Sequence, residues 1–92
     1  MRVWGIIKKN NKTIADTVKE FDFDGISTVG QWQSVIDAVC KELDLSPPVV
    51  LEKHLREIVG FSRTTFRASD FIESVDFDKL EIELFADKDR KR

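Results

Sequence analysis

The sequence predicts an α+β domain: a small, mostly antiparallel sheet with two helices packed on one of its faces. Three patterns lead to this prediction. β-Branched residues flank an Asn-Asn pair near the N terminus, apolar residues recur at helical spacing in the middle of the chain, and they alternate with charged residues near its end. A chain of 92 residues has the length of one domain. We predict that residues 1–87 form this domain and that residues 88–92 are a charged flexible tail.

Residues 1–21 have the pattern of a β-hairpin. Segments 3–7 and 13–18 are rich in β-branched and aromatic side chains, and Asn10-Asn11 suits a two-residue turn because Asn tolerates positive φ. With this turn, one face of the hairpin carries an apolar set, Val3, Ile7, Ile14 and Val18. The opposite face carries a mixed set, Arg2, Trp4, Ile6, Ala15, Thr17 and Lys19.

The clearest element is a helix that begins near Val29 and ends before Leu45. Thr28 and Gln31 have the spacing of a capping box, and the Pro-Pro pair after Ser46 cannot continue a helix. The predicted buried stripe of this helix contains Trp32, Val35, Ile36, Val39, Cys40 and Leu43. Because Cys40 lies on that stripe, it is expected to be an inert core thiol.

A second, shorter helix is predicted within residues 49–59, with Gly60 as a natural stop. Val49-Val50 is open to a different interpretation, a short fourth strand. The predicted apolar face of the helix contains Leu51, Leu55, Ile58 and Val59. His54 falls on the polar side, so we expect it at the surface.

The last third of the chain combines an irregular segment with a strand. Residues 61–77 are predicted to be irregular, with one helical turn over residues 70–73 that Ser69 opens as its N-cap. Residues 79–85 alternate with period two and are predicted to be a strand. One face of this strand carries Leu80, Ile82 and Leu84. The other carries Glu81, Glu83 and Phe85.

The two ends of the chain are expected to pair, with the C-terminal strand beside the hairpin. Its apolar row would then join the core face of the hairpin beneath the helices. Charge favours this arrangement, because residues 70–87 carry a net charge of −6 and residues 1–12 a net charge of +4. Glu81 and Glu83 would share the opposite face with three basic residues of the hairpin, Arg2, Lys8 and Lys19.

Composition excludes several kinds of function. One Cys and one His cannot form an internal disulfide or a zinc site, and the chain has no catalytic or cofactor motif that we recognise. We therefore expect no enzyme activity, no cofactor and no metal. A single Cys suits a reducing cytoplasm, and the apolar run at residues 3–7 is too short to span a membrane.

The best candidate site is an apolar patch on the sheet face opposite the helices, formed by Trp4, Ile6 and Phe85. Exposed apolar patches often mark interfaces, so we expect a protein partner or a second copy of the chain here. The free edge of the sheet offers another route to self-association. The alternative is that residues 61–77, with their four Phe, fold over this patch.

Basic residues form a second candidate site, for phosphate or nucleic acid. They are Lys8, Lys9, Lys12, Arg63, Arg67, Arg90, Lys91 and Arg92. A phosphate would be held near the two central arginines with the help of Thr64, Thr65 and Ser69, whereas the hairpin turn and the tail would contact a nucleic-acid backbone. The structural alternative is that all of these are solvated charges, with the arginines paired to the acidic segment.

Two stretches of the chain resemble a group of small, uncharacterised bacterial proteins of similar length. The first is Met1-Arg2-x-Trp4-Gly5. The second is Thr64-x-Phe66-x-x-x-Asp70-Phe71-Ile72-Glu73-x-Val75-x-Phe77-Asp78-x-Leu80-Glu81-Ile82-Glu83. The resemblance implies a bacterial cytoplasmic protein and supplies no catalytic residue.

The sequence therefore leads to two hypotheses of function. The first is a non-enzymatic protein-interaction or self-association module that uses the apolar sheet face. The alternative is a nucleic-acid-associated accessory protein that uses the basic turn and tail. They involve different residues, so they are separable by experiment.

Overall fold

The computed structural model describes residues 1–85. Its elements are β1 (Arg2–Lys9), β2 (Lys12–Glu20), α1 (Val29–Glu42), α2 (Glu52–Phe61), β3 (Arg63–Arg67), a 3-10 turn (Ala68–Asp70) and β4 (Lys79–Phe85). The strands form one antiparallel sheet in the order β2-β1-β4-β3. The predicted α+β class is confirmed. The predicted tail, residues 88–92, lies outside the described residues.

The centre of the sheet is the predicted pairing of the two chain ends, β1 with β4. Val3 lies opposite Leu84, and Ile7 lies opposite Leu80. These residues belong to what we call the inner face, the face that α1 covers. Its fully buried members include Val3, Phe66, Leu80 and Ile82.

The hairpin register was predicted correctly only at the turn. Asn10 and Asn11 have φ angles of 54° and 65°, as the turn requires. Beyond it, however, Ile14 is an extra residue that forms a bulge, so Ile7 lies opposite Ala15. Because side chains alternate along a strand, one inserted residue reverses the face of every later residue in β2.

The predicted core positions of Ile14 and Val18 are therefore wrong. Their side chains are 53% and 56% exposed, respectively. The inner face of β2 instead carries Ala15, Thr17 and Lys19. Lys19 does not share a face with Glu81 and Glu83; its Nζ lies 3.5 Å from a carboxylate oxygen of Glu42 in α1.

Helix α1 follows its prediction closely. The Gln31 backbone N–H donates to Thr28 Oγ1 at 3.1 Å, and the Thr28 N–H donates to Gln31 Oε1 at 3.3 Å, which completes the capping box. The buried stripe contains Trp32, Val35, Ile36, Val39 and Cys40, with Leu43 half-buried. The stripe packs on the inner face of the sheet at Gly5, where only a residue without a Cβ leaves room for Val39.

Helix α2 differs from its prediction in both its end and its buried face. It continues through Gly60 and ends at Phe61, and the C-cap residue Ser62 adopts the left-handed conformation with φ of 61°. His54 and Ile58, one turn apart, are the buried residues, whereas Leu51 and Val59 are 45% and 62% exposed. The predicted surface position of His54 is thus wrong, because this face of the helix packs on Phe66 of the sheet.

The segment predicted to be irregular contains the fourth strand, β3. Thr64 and Phe66 point to the inner face, where the Phe66 ring lies 6.2 Å from Trp32 and 4.2 Å from His54 between ring centroids. Val49-Val50 forms no strand. The predicted helical turn over residues 70–73 is replaced by the 3-10 turn, and it is Asp70, not Ser69, that accepts a backbone N–H, that of Arg67, at 2.9 Å.

The close approach at Gly5 leads to a first prediction. A Cβ at this position would overlap Val39 Cγ1, so Gly5→Ala should force the helix away from the sheet. We expect a loss of about 1–3 kcal/mol in the free energy of unfolding, measured by urea denaturation. Gly25→Ala is the control, because no atom of residues 1–85 lies within 4 Å of a Cβ there.

The same contact predicts coupling between the two positions. The double variant Gly5→Ala, Val39→Ala should lose less stability than the sum of the losses of the two single variants. The reason is that Val39→Ala removes the methyl group with which the new Cβ would clash. Equal unfolding midpoints for Gly5→Ala and the parent protein would contradict the packing described here.

Candidate functional site

The candidate site lies on the outer face of the sheet, which we define as the face opposite the inner face. Register assigns the outer residues to four rows across the strands, of which the row at the start of β1 contains Glu20, Arg2 and Phe85. The second row is Val18, Trp4, Glu83 and Arg63. The third is Asp16, Ile6, Glu81 and Thr65. The fourth is Thr13, Lys8, Lys79 and Arg67.

The outer face has an apolar centre around Trp4. The ring of Phe85 lies 6.3 Å from that of Trp4 between centroids, and Val18 lies directly opposite Trp4 on β2. Val18 and Phe85 are 56% and 41% exposed, and Trp4 is half-buried. The bulge in β2 therefore adds Val18 to the apolar patch that the sequence predicts.

Ile6 has a different role from the one predicted. Its side chain is only 4% exposed, although it is not part of the core cluster beneath the helices. It is therefore covered by its neighbours on the outer face and forms the floor of the patch. Trp4 is held over this floor by a hydrogen bond, in which its indole Nε1 donates to Asp16 Oδ2 at 2.8 Å.

The predicted alternative cover for this patch is wrong. Phe66, Phe71 and Phe77 belong to the core cluster on the inner side, and Phe61 is 75% exposed. Phe71 and Phe77 pack edge to face, 5.4 Å apart between centroids. These rings thus complete the core instead of covering Trp4.

Charged residues lie beside the apolar centre. Lys8 shares this face with Glu81 and Glu83, as the sequence predicts. Glu81 lies between two lysines, with carboxylate oxygens 3.7 Å from Lys8 Nζ and 3.5 Å from Lys79 Nζ. These side chains are partly exposed, so each pair contributes about 0.2–1 kcal/mol. The outer face therefore carries both signs of charge close to its apolar centre.

The residues predicted for phosphate converge in part, because Arg63, Thr64, Thr65 and Arg67 line one groove beside α2. Arg63 and Arg67 are exposed on the outer face of β3, whereas Thr64 points to the inner face and donates its hydroxyl to Glu57. Ser69 lies in the short 3-10 turn. The Thr64 hydroxyl is thus bonded to a carboxylate at the groove that the arginines line.

The basic hairpin turn and tail are only partly described. Lys9 and Lys12 are exposed beside the turn, while Lys8 is engaged with Glu81. The predicted contacts at Arg90, Lys91 and Arg92 lie outside the described residues.

His54 is the residue whose environment the sequence did not reveal. Its ring is fully buried against Phe66, and Nδ1 accepts the backbone N–H of Leu51 at 3.0 Å. The neutral ring therefore carries its proton on Nε2, which lies 3.6 Å from Asp70 Oδ2. Burial lowers the pKa of His54 from the ordinary 6.5, which outweighs the opposing effect of the Asp70 carboxylate.

Cys40 behaves as the sequence predicts. It is fully buried in α1, and burial, with a smaller effect from the Asp37 carboxylate, raises the pKa of its thiol to about 11. The thiol is thus protonated at neutral pH and unreactive. Within residues 1–85, no three His, Cys, Asp or Glu side chains are grouped so as to hold a metal ion.

The buried His54 leads to a prediction about pH. Because its pKa is lower in the folded state, the unfolded chain binds the proton more readily near pH 6. The free energy of unfolding should therefore fall as pH drops through 6.5 toward the lower folded pKa, by at most about 1.4 kcal/mol per pH unit. His54→Gln, measured by urea denaturation between about pH 7.5 and 5.5, should show a smaller slope.

The difference in slope between the parent protein and His54→Gln reports on His54 alone, because it is the only His in the sequence. Other groups titrate in the same way in both proteins. Parallel curves for the parent and the variant over that range would contradict the assignment of a neutral, buried ring.

Two further findings complete the description. No helix within residues 1–85 is long and apolar enough to cross a membrane. Comparison of the chain with protein-family models, with curated proteins and with solved structures found no match. The functional assignment of the outer face therefore depends on its own geometry.

Proposed function

We propose that this protein is a non-enzymatic interaction module that self-associates through the outer face of its sheet. The observation that supports this most directly is the apolar centre of Trp4, Val18 and Phe85, which the helices and the phenylalanine-rich segment leave uncovered. Burying such a surface against another protein is favourable by about 25 cal/mol per Å² before the costs of association. Cysteine and histidine often serve as nucleophile and base in enzymes, but here Cys40 and His54 both lie in the core.

A second copy of the chain is the occupant that the charges favour. Along the outer face of β4, Lys79, Glu81 and Glu83 follow one another at alternate positions. Consider two copies stacked outer face to outer face, related by a twofold axis that crosses the strands at Glu81. Lys79 of each copy then lies opposite Glu83 of the other, so the face is complementary to itself.

The same axis brings Lys8 of one copy over Trp4 of the other. The two residues lie on β1, one on each side of Ile6, at the same distance from the axis. An ammonium group over an indole ring is a favourable contact, worth about 0.5–2 kcal/mol depending on its exposure. The axis thus pairs the charges of β4 and places Trp4 and Val18 opposite Lys8 and Thr13 of the other copy.

Three features oppose this association. Asp16 lies in the same row as Glu81, so the axis places it opposite Asp16 of the other copy, where each carboxylate is exposed and accepts a hydrogen bond from Trp4. Glu81 would face its own copy on the axis, but each Glu81 already lies between Lys8 and Lys79. Arg63 would approach Arg67 of the other copy at the rim of the interface. Both are long exposed side chains that are free to turn into solvent.

Removal of the central ring is the first test of this proposal. Trp4→Ala should weaken the dimer at least about 30-fold, because a central tryptophan in an interface is worth about 2 kcal/mol or more. The dimer dissociation constant is measured by light scattering over a concentration series. Ile72→Ala is the matched control, since Ile72 is 82% exposed in the loop between the 3-10 turn and β4.

The parent protein must itself be dimeric for this proposal to stand. A monomer at every accessible concentration would refute self-association, as would equal dimer affinities for Trp4→Ala and the control. Circular dichroism of the variant excludes unfolding as the cause of any loss.

Exchange of the two charges on β4 tests the orientation. Lys79→Glu alone should weaken the dimer, because it places two carboxylates opposite each other in each of two symmetric contacts. Lys79→Glu combined with Glu83→Lys should restore affinity to within about threefold of the parent. If the double variant dimerises no better than the single one, the proposed axis is wrong.

A further inference from the structure

A separate surface lies between α2 and the free edge of the sheet. We call it the edge groove; its volume is about 520 Å³, and it is lined by Lys53, Glu57, Phe61, Arg63, Thr64, Thr65 and Arg67. We propose that the edge groove binds an extended acidic peptide segment of another protein, which adds to β3 as a fifth strand. This proposal uses β3 and α2 and goes beyond self-association through the outer face.

The backbone of β3 is available for such an addition. Within residues 1–85, β3 is an edge strand that pairs only with β4. The Leu84 N–H donates to the Ser62 carbonyl at 2.8 Å, and the Ala68 N–H donates to the Asp78 carbonyl at 3.0 Å. Since hydrogen-bonded pairs alternate in an antiparallel ladder, Thr64 and Phe66 also bond to β4.

The remaining residues of β3 direct their backbone groups away from β4. They are Arg63, Thr65 and Arg67. The Arg67 N–H confirms this direction, because it donates to the Asp70 carboxylate outside the sheet. Thr65 and Arg63 thus present the donors and acceptors with which an added strand pairs.

The charge of the edge groove selects an acidic strand. Lys53, Arg63 and Arg67 are exposed, and none of them forms an ion pair with any of residues 1–85. Glu57, the acidic residue of the lining, accepts a hydrogen bond from Thr64 and is half-buried. An added strand would therefore lie beside side chains with a net positive charge.

The spacing of the arginines suits an extended partner. Arg63 and Arg67 are four residues apart on one strand, about 13 Å along it, with Thr65 between them on the same face. A peptide with carboxylates at alternate positions places them beside these guanidiniums while its backbone pairs with β3. Phe61, 75% exposed on the helix wall, offers apolar contact to the intervening side chains.

The free strand edge favours a peptide over the other anionic partners. Nucleic acid would use the same positive charge but has no backbone that can pair with the N–H and C=O groups of Thr65. A second copy joined β3 to β3 would bring Arg63 and Arg67 of both chains together. An acidic peptide satisfies both the edge and the charge.

The test uses a short labelled peptide in which glutamate alternates with threonine, with binding measured by fluorescence anisotropy. We expect Arg63→Gln combined with Arg67→Gln to weaken binding at least about tenfold, because two charge-assisted contacts are lost. Lys9→Gln combined with Lys12→Gln is the matched control, since it removes the same charge from the exposed hairpin turn. The control should bind the peptide as the parent does.

Hydrogen exchange tests the backbone pairing directly. The Thr65 amide should exchange more slowly when the peptide is bound, and Thr65→Pro should abolish binding, since it removes this donor without removing a bond to β4. If Thr65→Pro does not fold, the exchange measurement and the arginine variant still decide the question.

Three results would overturn this proposal. The first is equal binding of a peptide in which lysine replaces glutamate. The second is an equal loss in the hairpin-turn control, which would show attraction by net charge alone. The third is a single-stranded oligonucleotide that displaces the peptide while Thr65 exchange is unchanged, which would assign the edge groove to nucleic acid.

Discussion

The pairing of β1 with β4 is the interaction on which the rest of the fold depends. It joins the two ends of the chain, and both strands lie inside the sheet, so each has a neighbour on either side. On the inner face, Gly5 lets α1 approach closely enough for Val39 to touch the sheet. On the outer face the same strands bring Trp4 beside Phe85. The core and the candidate site thus lie on opposite faces of the same pair of strands.

The bulge at Ile14 explains why the outer face was only partly predictable. Composition identified both hairpin strands, and the positive φ of Asn10 and Asn11 agrees with the turn. A single extra residue leaves the local pattern of residues 13–18 unchanged, yet it reverses which side Val18 faces. Only packing against α1 decides between the two registers. The sequence therefore indicates Trp4 and Phe85 but places Val18 in the core.

The burial of His54 and the strand β3 were not predicted, and the two are linked. His54 packs against Phe66 of β3, so each depends on a contact between distant parts of the chain. The alternation of residues 63–67 is too short to separate a strand from a loop, and Phe66 is its one strongly apolar residue. A histidine becomes acceptable inside the protein when Leu51 N–H binds its Nδ1 and Phe66 covers its ring. Leu51 and His54 have the spacing of a capping box, but they are not the residue types that identify one in a sequence, and Phe66 lies outside the helix. The helix α1, whose cap and stripe are both local, was predictable almost in full.

The two proposed surfaces meet at β3, and this has a thermodynamic consequence. Arg63 and Arg67 line the edge groove, and they are also the residues that would approach each other across the proposed dimer. An acidic strand bound to β3 would place carboxylates beside these guanidiniums and reduce that repulsion. Binding of the peptide and self-association would then favour each other, by the same factor in either direction. If the outer face does not self-associate, this coupling disappears while the edge groove keeps its affinity, because the backbone of Thr65 and the charge of the arginines do not depend on a second copy.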